Sequence, residues 1–424
     1  MPKTQSVSMT ELPYHAGAKV RIYPSRAQKL LIKRNSDASR FIYNELVAMH
    51  RELFLLRQVK IPILLVLKRI EILRQRLARP AAEISNIHGW LYHVDFDADM
   101  KANAIKNFNN AWKLHKQNSR FGIPSFHQMT NTRSYQTSCH YKVAKGKPTM
   151  LNGSIRLIDH HYLMIGKLGR IRFAGLPSHI SANAERIRIG TTTVSMSADG
   201  KYYLSFQLAS RHPFGMKATI PTHPIGLDLN LTDFLTTSDG EVVANPRFFE
   251  QYEHKLRVAQ QTLSRQQKHA RNNGSQLNSI KSYQYQRKNV ARLHQKVVNK
   301  RNDFLHKLST SLVKNHGLIV AEALDIKPMQ KKSHHSYAMQ DVAWKTFLDM
   351  LAYKAEKYGS RFIAVDPQNT TQTCSECQFV MGSFGTKKLP LAVREWDCPR
   401  CHKHHLRDQN AAKNVLARGL NLIN

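Results

Sequence analysis

The chain contains 424 residues, and its 64 Lys and Arg against 29 Asp and Glu give a formal net charge of +35 and a pI near 10.2. This excess is far larger than solubility requires, so we expect a polyanionic partner. A membrane is excluded as that partner, because the most apolar run, IPILLVLKRIEIL, is interrupted after seven residues by Lys68 and Arg69 and is too short to span a bilayer.

The first segments predict one strand followed by a helical region. Residues 18–30, AKVRIYPSRAQKL, alternate until a proline, and a helix is expected to begin at Ser25. Apolar residues at helical spacing continue this helix, and two more helices are expected around residues 64–77 and 97–119. Residues 30–120 are therefore predicted to form a helical unit with basic outer faces.

Short alternating runs then replace the helical pattern. Between residues 130 and 215 they predict the strands of a small antiparallel barrel, with a hairpin turn at Asp199-Gly200. The strand near Val20 is expected to join these strands. The helical unit is therefore predicted to be an insertion into a β-domain.

Pro221 and Pro224 mark the start of a second domain, in which two acidic residues interrupt apolar strands. Asp228 is predicted to lie in the middle of the strand IGLDLN, and Glu322 to lie at the end of the strand HGLIVAE. A carboxylate in an apolar strand is costly unless something pairs with it. Asp228 is therefore a good metal-ligand candidate, with a structural salt bridge as the alternative. For Glu322 the two interpretations are equally good.

Four of the five cysteines form two pairs, in TCSEC and DCPRC, with the spacing C-x2-C-x20-C-x2-C. Two tight thiolate hairpins at this spacing can close on one tetrahedral Zn²⁺. The alternative, two CxxC sequences unrelated to a metal, does not explain why four of five cysteines fall here. We predict zinc ligands at four positions: Cys374, Cys377, Cys398 and Cys401.

Asp408 follows the last cysteine pair, where the segment RDQNAAKNVLARGL predicts the start of a helix. Taken alone, Asp408 would be interpreted as an N-cap. Together with Asp228 and Glu322, however, it gives three acids on elements of one α/β domain. Such carboxylates can hold two Mg²⁺ ions, which activate a water and stabilise the leaving oxygen in phosphodiester hydrolysis.

Two long stretches contain no acidic residue. They are residues 100–158 and residues 254–302, and the second holds twelve Lys or Arg. A solvated basic surface explains any single one of these charges, but two such stretches favour contact with phosphate groups. We therefore expect the polyanionic partner to be a nucleic acid.

Several motifs resemble the TnpB family of transposon-encoded RNA-guided DNA nucleases. GLDLN, IVAEALDI, QTCSEC, WDCPRC and HLRDQNAAKNV are similar in order and spacing to its split RuvC nuclease domain and zinc ribbon, and VRIYPSRAQ, FIYNELVA and FGIPSF are similar to its first half. The sequence departs from the family pattern at Ala323, where the family often has Asp, and in CHKHHLRD, where histidines stand in place of a common Gly.

The resemblance implies an α+β multidomain fold. A wedge β-barrel is interrupted by a helical recognition lobe, and a RuvC nuclease domain of RNase H type follows, itself interrupted by a zinc ribbon. The implied domains are the wedge barrel at 1–29 and 121–220, the recognition lobe at 30–120, the RuvC domain at 221–372 and 403–424, and the ribbon at 373–402.

The resemblance also implies an activity. Asp228, Glu322 and Asp408 would be the catalytic triad that binds two Mg²⁺, and the four cysteines would bind one structural Zn²⁺. A guide RNA encoded at the transposon end would pair with one strand of double-stranded DNA beside a short motif that the protein reads, and the single RuvC site would cut both strands. We expect a monomer in the cytosol or nucleoid of a prokaryote, since the cysteines suit a reducing compartment and no leader peptide opens the chain.

Two other function classes stay open. A nuclease-inactive RNA-guided DNA-binding repressor would keep the charge and the ribbon but lose an acid, whereas all three acids are present here. A DNA transposase or resolvase that acts without RNA would share the basic charge and the carboxylates. RNase treatment of the purified protein would distinguish this last class from an RNA-guided one.

Overall fold

The computed structural model describes residues 4–5, 9–60, 63–118, 120–130, 132–142, 147–214, 222–323, 343–390 and 392–423. The chain divides into two compact units, Met1–Phe214 and Gly215–Asn424. Within the described part of the chain, none of the helices combines the length and the apolar character needed to cross a bilayer.

The first unit is built on an antiparallel sheet of seven described strands. The strands of this unit are β1 (Thr4–Gln5), β2 (Tyr14–Tyr23), β3 (Arg133–Ser138), β4 (Tyr141–Lys142), β5 (Ile155–Leu157), β6 (Tyr162–Ile165), β7 (Gly169–Ala174), β8 (Ile187–Met196) and β9 (Tyr202–Ser210). The seven-stranded sheet has the order β3-β8-β9-β2-β7-β6-β5, and β1 and β4 form a separate pair. Hydrogen bonding does not join β3 to β5 in the described residues, so closure into a barrel stays a prediction.

Helices occupy the chain between β2 and β3. The helices of this unit are α1 (Arg26–Leu56), α2 (Leu64–Ala78), α3 (Pro80–Ile87), α4 (Ala98–Gln117) and the single turn α5 (Ser178–Ser181). Ser25 begins α1 with a capping box, since its hydroxyl accepts from the Gln28 backbone N–H and the Gln28 side chain accepts from the Ser25 N–H. Asp97 caps α4 in a similar way, by accepting from the backbone N–H of Asp99.

The second unit contains a mixed five-stranded sheet and a small two-stranded ribbon. Its strands are β10 (Pro224–Asp228), β11 (Asp233–Thr237), β12 (Val242–Ala244), β13 (Leu318–Glu322), β14 (Arg361–Val365), β15 (Glu395–Asp397) and β16 (His404–Leu406). The sheet order is β12-β11-β10-β13-β14, in which β10, β13 and β14 run parallel, and β15 pairs with β16. The α+β class predicted from the sequence is thereby confirmed.

Long helices flank this sheet. They are α6 (Phe248–Asn272), α7 (Lys281–Asn315), α8 (Trp344–Tyr358) and α9 (Arg407–Asn421). The core of the unit joins residues from the strands and from α7 and α8, among them Phe234, Leu305 and Phe347. Because β10 and β13 are nearly continuous apolar runs between helices, their acidic ends stand out as positions that packing does not explain.

Candidate active site and zinc site

Two of the predicted acids lie side by side at the carboxyl ends of neighbouring parallel strands. Leu227 of β10 pairs with Ala321 of β13, so the next residues, Asp228 and Glu322, end the two strands at the same edge of the sheet. Both residues are buried. The prediction that Asp228 lies in the middle of its strand is wrong by this measure, because the strand ends at Asp228.

The third acid reaches this edge from α9. Asp408 is the second residue of that helix, which packs against β10 and β13. Gly226 makes close packing possible, because a Cβ at that position would lie 2.1 Å from the backbone oxygen of Ala412. At the other end of the helix a Cβ on Gly419 would lie 2.4 Å from Val320 Cγ2. These two glycines thus let α9 lie directly on the strands that carry the other two acids.

The three carboxylates interact electrostatically. Burial raises the pKa of Asp228 to about 8, and the nearby charges of Glu322 and Asp408 add to this effect. Burial also raises the pKa of Glu322, while a hydrogen bond from the Thr370 hydroxyl opposes that rise. A carboxyl group that burial and like charge both keep protonated is a functional-site candidate, since a bound cation would relieve both effects.

The alternative interpretation of Asp408 as an N-cap is not supported. Leu406 occupies the cap position of α9, and no side-chain hydrogen bond caps this helix end. The Asp408 carboxylate instead lies 3.4 Å from the Arg394 guanidinium, which is more than half exposed. Because solvent screens the Arg394 side of this ion pair, the pair is weak enough for a cation to displace it.

The donor set fits hard divalent cations. Carboxylate oxygens are the ligands that Mg²⁺ prefers, and Asp228, Glu322 and Asp408 converge from three different elements. Their oxygens do not form a group tight enough for a single ion among the described residues; the four cysteines do. The fold therefore brings Asp228 and Glu322 together and holds Asp408 within electrostatic range of Asp228.

The four predicted zinc ligands form one cluster. Their Sγ atoms all lie within 4.8 Å of one another, with 3.7 Å between Cys374 and Cys401 and 3.5 Å between Cys377 and Cys398. Tetrahedral Zn–S bonds of about 2.3 Å place sulfur atoms roughly 3.8 Å apart, so the spacing and the thiolate chemistry both fit Zn²⁺. The four-cysteine cluster predicted from the spacing is confirmed as a geometric feature.

The environments of the four thiols differ. Burial raises the pKa of the Cys374 thiol to about 12. Burial also acts on Cys398, but hydrogen bonds from the backbone N–H groups of Cys401 and Arg400 and from the Cys377 and Cys401 thiols together outweigh it and lower the pKa of that thiol to about 7. His405, one of the histidines that depart from the family pattern, lies with its Nε2 atom 3.1 Å from the Cys374 sulfur.

Basic surface accompanies both units. The acid-free stretch 254–302 forms most of the helical hairpin of α6 and α7, whose helices pack against each other. In the first unit, arginines stack on tyrosines along the sheet: the guanidinium of Arg172 lies 5.5 Å from the Tyr23 ring, and that of Arg170 lies 3.9 Å from the Tyr162 ring. Phosphate groups and nucleobases are suited to surfaces that alternate cations with aromatic rings.

Sequence analysis missed two residues that shape the carboxylate edge. Thr370 is buried, and its hydroxyl lies 2.7 Å from Glu322 Oε1. Gly226 precedes Asp228 by two residues, and its lack of a Cβ lets α9 pack against β10. A glycine inside an apolar strand is the one signal in the sequence that suggests close approach of another backbone. Nothing in the sequence marks Thr370 apart from the other threonines of NTTQT.

Comparison with known proteins gives three family matches in chain order. Residues 14–54 match a helix-turn-helix domain (HTH_OrfB_IS605), residues 205–333 match the family described as "Probable transposase" (OrfB_IS605), and residues 344–415 match the TNB domain described as Cas12f1-like. A protein of Escherichia coli K12 named "Putative RNA-guided DNA endonuclease InsQ" is 25% identical over 95% of this chain and 91% of its own length. These matches support the resemblance to the TnpB family along most of the chain.

Two further matches show how far the similarity extends. A Streptomyces pristinaespiralis protein with the name "Putative RNA-guided DNA endonuclease" is 35% identical over 231 residues, which are 54% of this chain and 53% of that relative. The cryo-EM structure of a Cas12f1-sgRNA-target DNA complex matches with a TM-score of 0.52 at 11% identity, covering 95% of this chain and 98% of that one. At this identity the second match concerns the fold alone.

Proposed function

We propose that this protein is a TnpB family member and an RNA-guided DNA endonuclease that hydrolyses phosphodiester bonds at the edge formed by Asp228, Glu322 and Asp408. The observation that carries the proposal is the convergence of these acids from two strand ends and a helix start. Burial and then the two neighbouring acids raise the pKa of Asp228 there. A stable fold does not gather three acids at one strand edge without compensation. Cation binding provides that compensation, and the relatives named as RNA-guided DNA endonucleases give the reaction class.

Each carboxylate has a distinct part in this proposal. Asp228 would be the central ligand of the three. It lies next to Glu322 on the neighbouring strand, and the charge of Asp408 also raises its pKa. Glu322 would be the most fixed ligand, because the Thr370 hydroxyl holds one of its oxygens. Asp408 would be the adjustable one, because it must leave the Arg394 guanidinium to reach a cation.

Two Mg²⁺ ions held there would supply an activated water and stabilisation of the leaving oxygen. Asp228 must first lose its proton, because with a pKa of about 8 its carboxyl group is largely protonated at neutral pH before a cation binds. Metal binding and proton release are therefore linked at this residue. The linkage predicts tighter metal binding as the pH rises from about 6 to 9.

The remaining parts of the chain would serve recognition. The four cysteines would hold one structural Zn²⁺ that folds the ribbon 373–402 within the RuvC domain. The acid-free stretch 254–302 of α6 and α7 and the basic sheet of the first unit would contact a guide RNA and its heteroduplex with target DNA. That sheet and the helices of its unit are the proposed wedge barrel and helical lobe. Base pairing would supply most of the sequence specificity, and a short motif in the DNA would be read by protein.

RNA-programmed cleavage of a plasmid tests the proposal. The protein is purified with its copurifying RNA, the RNA is sequenced, and a plasmid that matches its variable end is offered with Mg²⁺. We expect cleavage by the wild type, and we expect RNase treatment to abolish it. Cleavage that survives RNase treatment would support an RNA-independent transposase or resolvase and overturn the guided mechanism.

The catalytic assignment has its own control. Asp228→Ala should reduce cleavage by roughly 10³-fold or more, because metal stabilisation of the transition state is worth several kcal/mol. Binding of RNA and target DNA should persist. Asp239→Ala is a matched control, since Asp239 is an exposed acid of the same unit that pairs with His223. Equal cleavage by the Asp228→Ala protein and the wild type would refute the assignment.

A further inference from the structure

One face of α9 holds the loop that connects β14 to the first cysteine pair. We call residues 366–375 the bridging loop. Asn410, Asn414 and Arg418 lie four residues apart on the helix, so their side chains share one face. All three donate hydrogen bonds to backbone oxygens of the bridging loop.

The bonds are short and several are buried. Asn414 Nδ2 donates to the carbonyl oxygens of Thr370 and Thr373 at 2.9 and 2.6 Å. Asn410 Nδ2 donates to Thr373 O at 2.7 Å, and Asn410 Oδ1 accepts from the Ser375 N–H at 2.9 Å. The Arg418 guanidinium donates to the carbonyl oxygens of residues 366 and 368. These side chains thus hold a loop whose other described backbone hydrogen bonds are turns within it and contacts with residues 378–381.

The bridging loop in turn touches the carboxylate edge. Thr370 is 2% exposed, and its hydroxyl lies 2.7 Å from Glu322 Oε1 and 3.1 Å from the carbonyl oxygen of Pro367. The shorter distance and the charge of the carboxylate favour Glu322 as the main acceptor of the single hydroxyl proton. One hydrogen-bonded path thus runs from α9, which carries Asp408, through Asn414 and Thr370 to Glu322.

We propose that Thr370 is a positioning residue for the Glu322 carboxylate and that Asn414 positions Thr370, so that the bridging loop ties the catalytic acids to the zinc ribbon. The inference rests on the proposed function, because it assigns Glu322 a cation to hold. Its physical basis is that a ligating carboxylate with one oxygen fixed by a hydrogen bond presents its remaining lone pairs in one direction. The zinc ribbon begins directly after this position in the chain, since Cys374 comes four residues after Thr370.

Mn²⁺ binding measured by EPR on the full-length protein with its copurified RNA tests the inference without requiring cleavage. The same complex with Asp228→Ala serves as the blank for Mn²⁺ held by RNA. We expect Thr370→Val to weaken site-specific Mn²⁺ binding by about 10- to 100-fold, the range found when a partner of a metal ligand is removed. Thr370→Ser should bind within about twofold of the wild type, because it keeps the hydroxyl that makes the bond.

Two controls separate positioning from folding. Thr371→Val removes a hydroxyl from the neighbouring residue without removing the bond to Glu322, and it should bind Mn²⁺ as the wild type does. Zinc content should stay unchanged in the Thr370→Val protein, which shows that the ribbon is folded. In cleavage assays Thr370→Val should need more Mg²⁺ for half-maximal rate, and its rate at saturating Mg²⁺ should recover most of the wild-type value.

Asn414→Ala provides a second variant. It should weaken Mn²⁺ binding, although Asn414 touches no carboxylate. Both substitutions act through the Thr370 hydroxyl. The fold-loss in Mn²⁺ affinity of the Thr370→Val, Asn414→Ala double variant should therefore be smaller than the product of the two single losses. Wild-type Mn²⁺ affinity in Thr370→Val would overturn the inference. If instead the wild type shows Mn²⁺ binding but no RNA-programmed cleavage, the proposed function fails while the positioning role of Thr370 stands.

Discussion

The four cysteines and the three carboxylates are both candidate metal sites, but the fold gathers their donor atoms to different degrees. The cysteine sulfurs lie within 4.8 Å of one another, whereas the carboxylate oxygens of the three acids do not form such a tight group among the described residues. Thiols can be neutral and pack together before a metal arrives, while carboxylates that converge must be protonated or paired. The cysteine cluster thus already has the spacing of a four-thiolate metal site, and the carboxylate edge is one that cations would complete.

The largest expected effect is on zinc content, and it should differ between the buried Cys374 and the exposed Cys401. Cys374→Ser should abolish stoichiometric zinc, because Cys374 is fully buried beside His405 and water has no access to replace its sulfur. Cys401→Ser should retain zinc that a chelator removes faster, since Cys401 is exposed and a water can take its place. Structural zinc contributes on the order of 10 kcal/mol to folding of a small metal domain, so Cys374→Ser should also lower the Tm.

Metal analysis by mass spectrometry and a chelator-competition time course check this prediction. Equal zinc content in the Cys374→Ser protein and the wild type would show that the four sulfurs do not form the metal site.

The raised pKa of Asp228 should make the stability of the metal-free protein depend on pH. In the metal-free protein, the folded-state pKa of about 8 lies above the ordinary 3.8, so ionising this buried group costs folding free energy. The cost is absent below about pH 4, grows as the pH rises toward about 8, and is complete above that. Asp228→Asn should therefore stabilise the metal-free protein by a few kcal/mol above about pH 8 and by little near pH 4.

Thermal unfolding of both proteins in EDTA-treated buffer from about pH 5 to 9 measures this difference. The carboxylates must be free of divalent cations while zinc stays on the cysteines. Because EDTA also removes zinc, free chelator should be separated from the zinc-bound protein, or a chelator too weak to remove zinc from four thiolates should be used. A Tm difference that stays constant over the whole range would contradict a raised pKa of Asp228.

Gly226→Ala tests how α9 reaches the carboxylate edge. Its new Cβ would meet the backbone oxygen of Ala412 at 2.1 Å, and a backbone atom cannot rotate away as a side chain can. We expect a loss of about 1–3 kcal/mol in the free energy of unfolding. Gly17→Ala is the matched control in β2, where a Cβ would meet no atom within 4 Å, and it should leave stability nearly unchanged. Urea denaturation compares the two, and equal effects would contradict the close packing of α9.

The smallest effect is expected from Arg394→Ala. The guanidinium competes with a cation for Asp408, but Arg394 is exposed, and a solvent-screened pair at 3.4 Å is worth at most about 1 kcal/mol. The Mg²⁺ concentration for half-maximal cleavage should fall by roughly two- to fivefold. A rise in that concentration would indicate that Arg394 assists the reaction instead of competing with the metal.

Local patterns in the sequence were sufficient for some of these features. The sequence around Ser25 predicted the start of α1, because the capping contacts lie within three residues. The cysteine spacing predicted the four-cysteine cluster, because two C-x2-C pairs can close on one metal across the twenty residues between them. The start of the helix that follows Cys401 was also placed within about one residue, although its cap is Leu406 and not Asp408.

Other features depend on contacts between distant segments and could not be predicted. The Thr370 hydroxyl meets Glu322 across 48 residues of chain, and Asn414 meets the Thr370 carbonyl across 44. Neither pair has a spacing or a composition that marks it. Asp228 and Glu322 were recognisable as costly acids, but only the register of β10 and β13 places them side by side.

The most direct measurement locates Mn²⁺ in the nucleic-acid-loaded protein by anomalous X-ray scattering. Our account predicts manganese peaks bounded by the carboxylates of Asp228, Glu322 and Asp408, with Asp408 released from Arg394, and a zinc peak among the four cysteines. Manganese bound at other residues, with these three carboxylates free of metal in a complex that cleaves DNA, would contradict it.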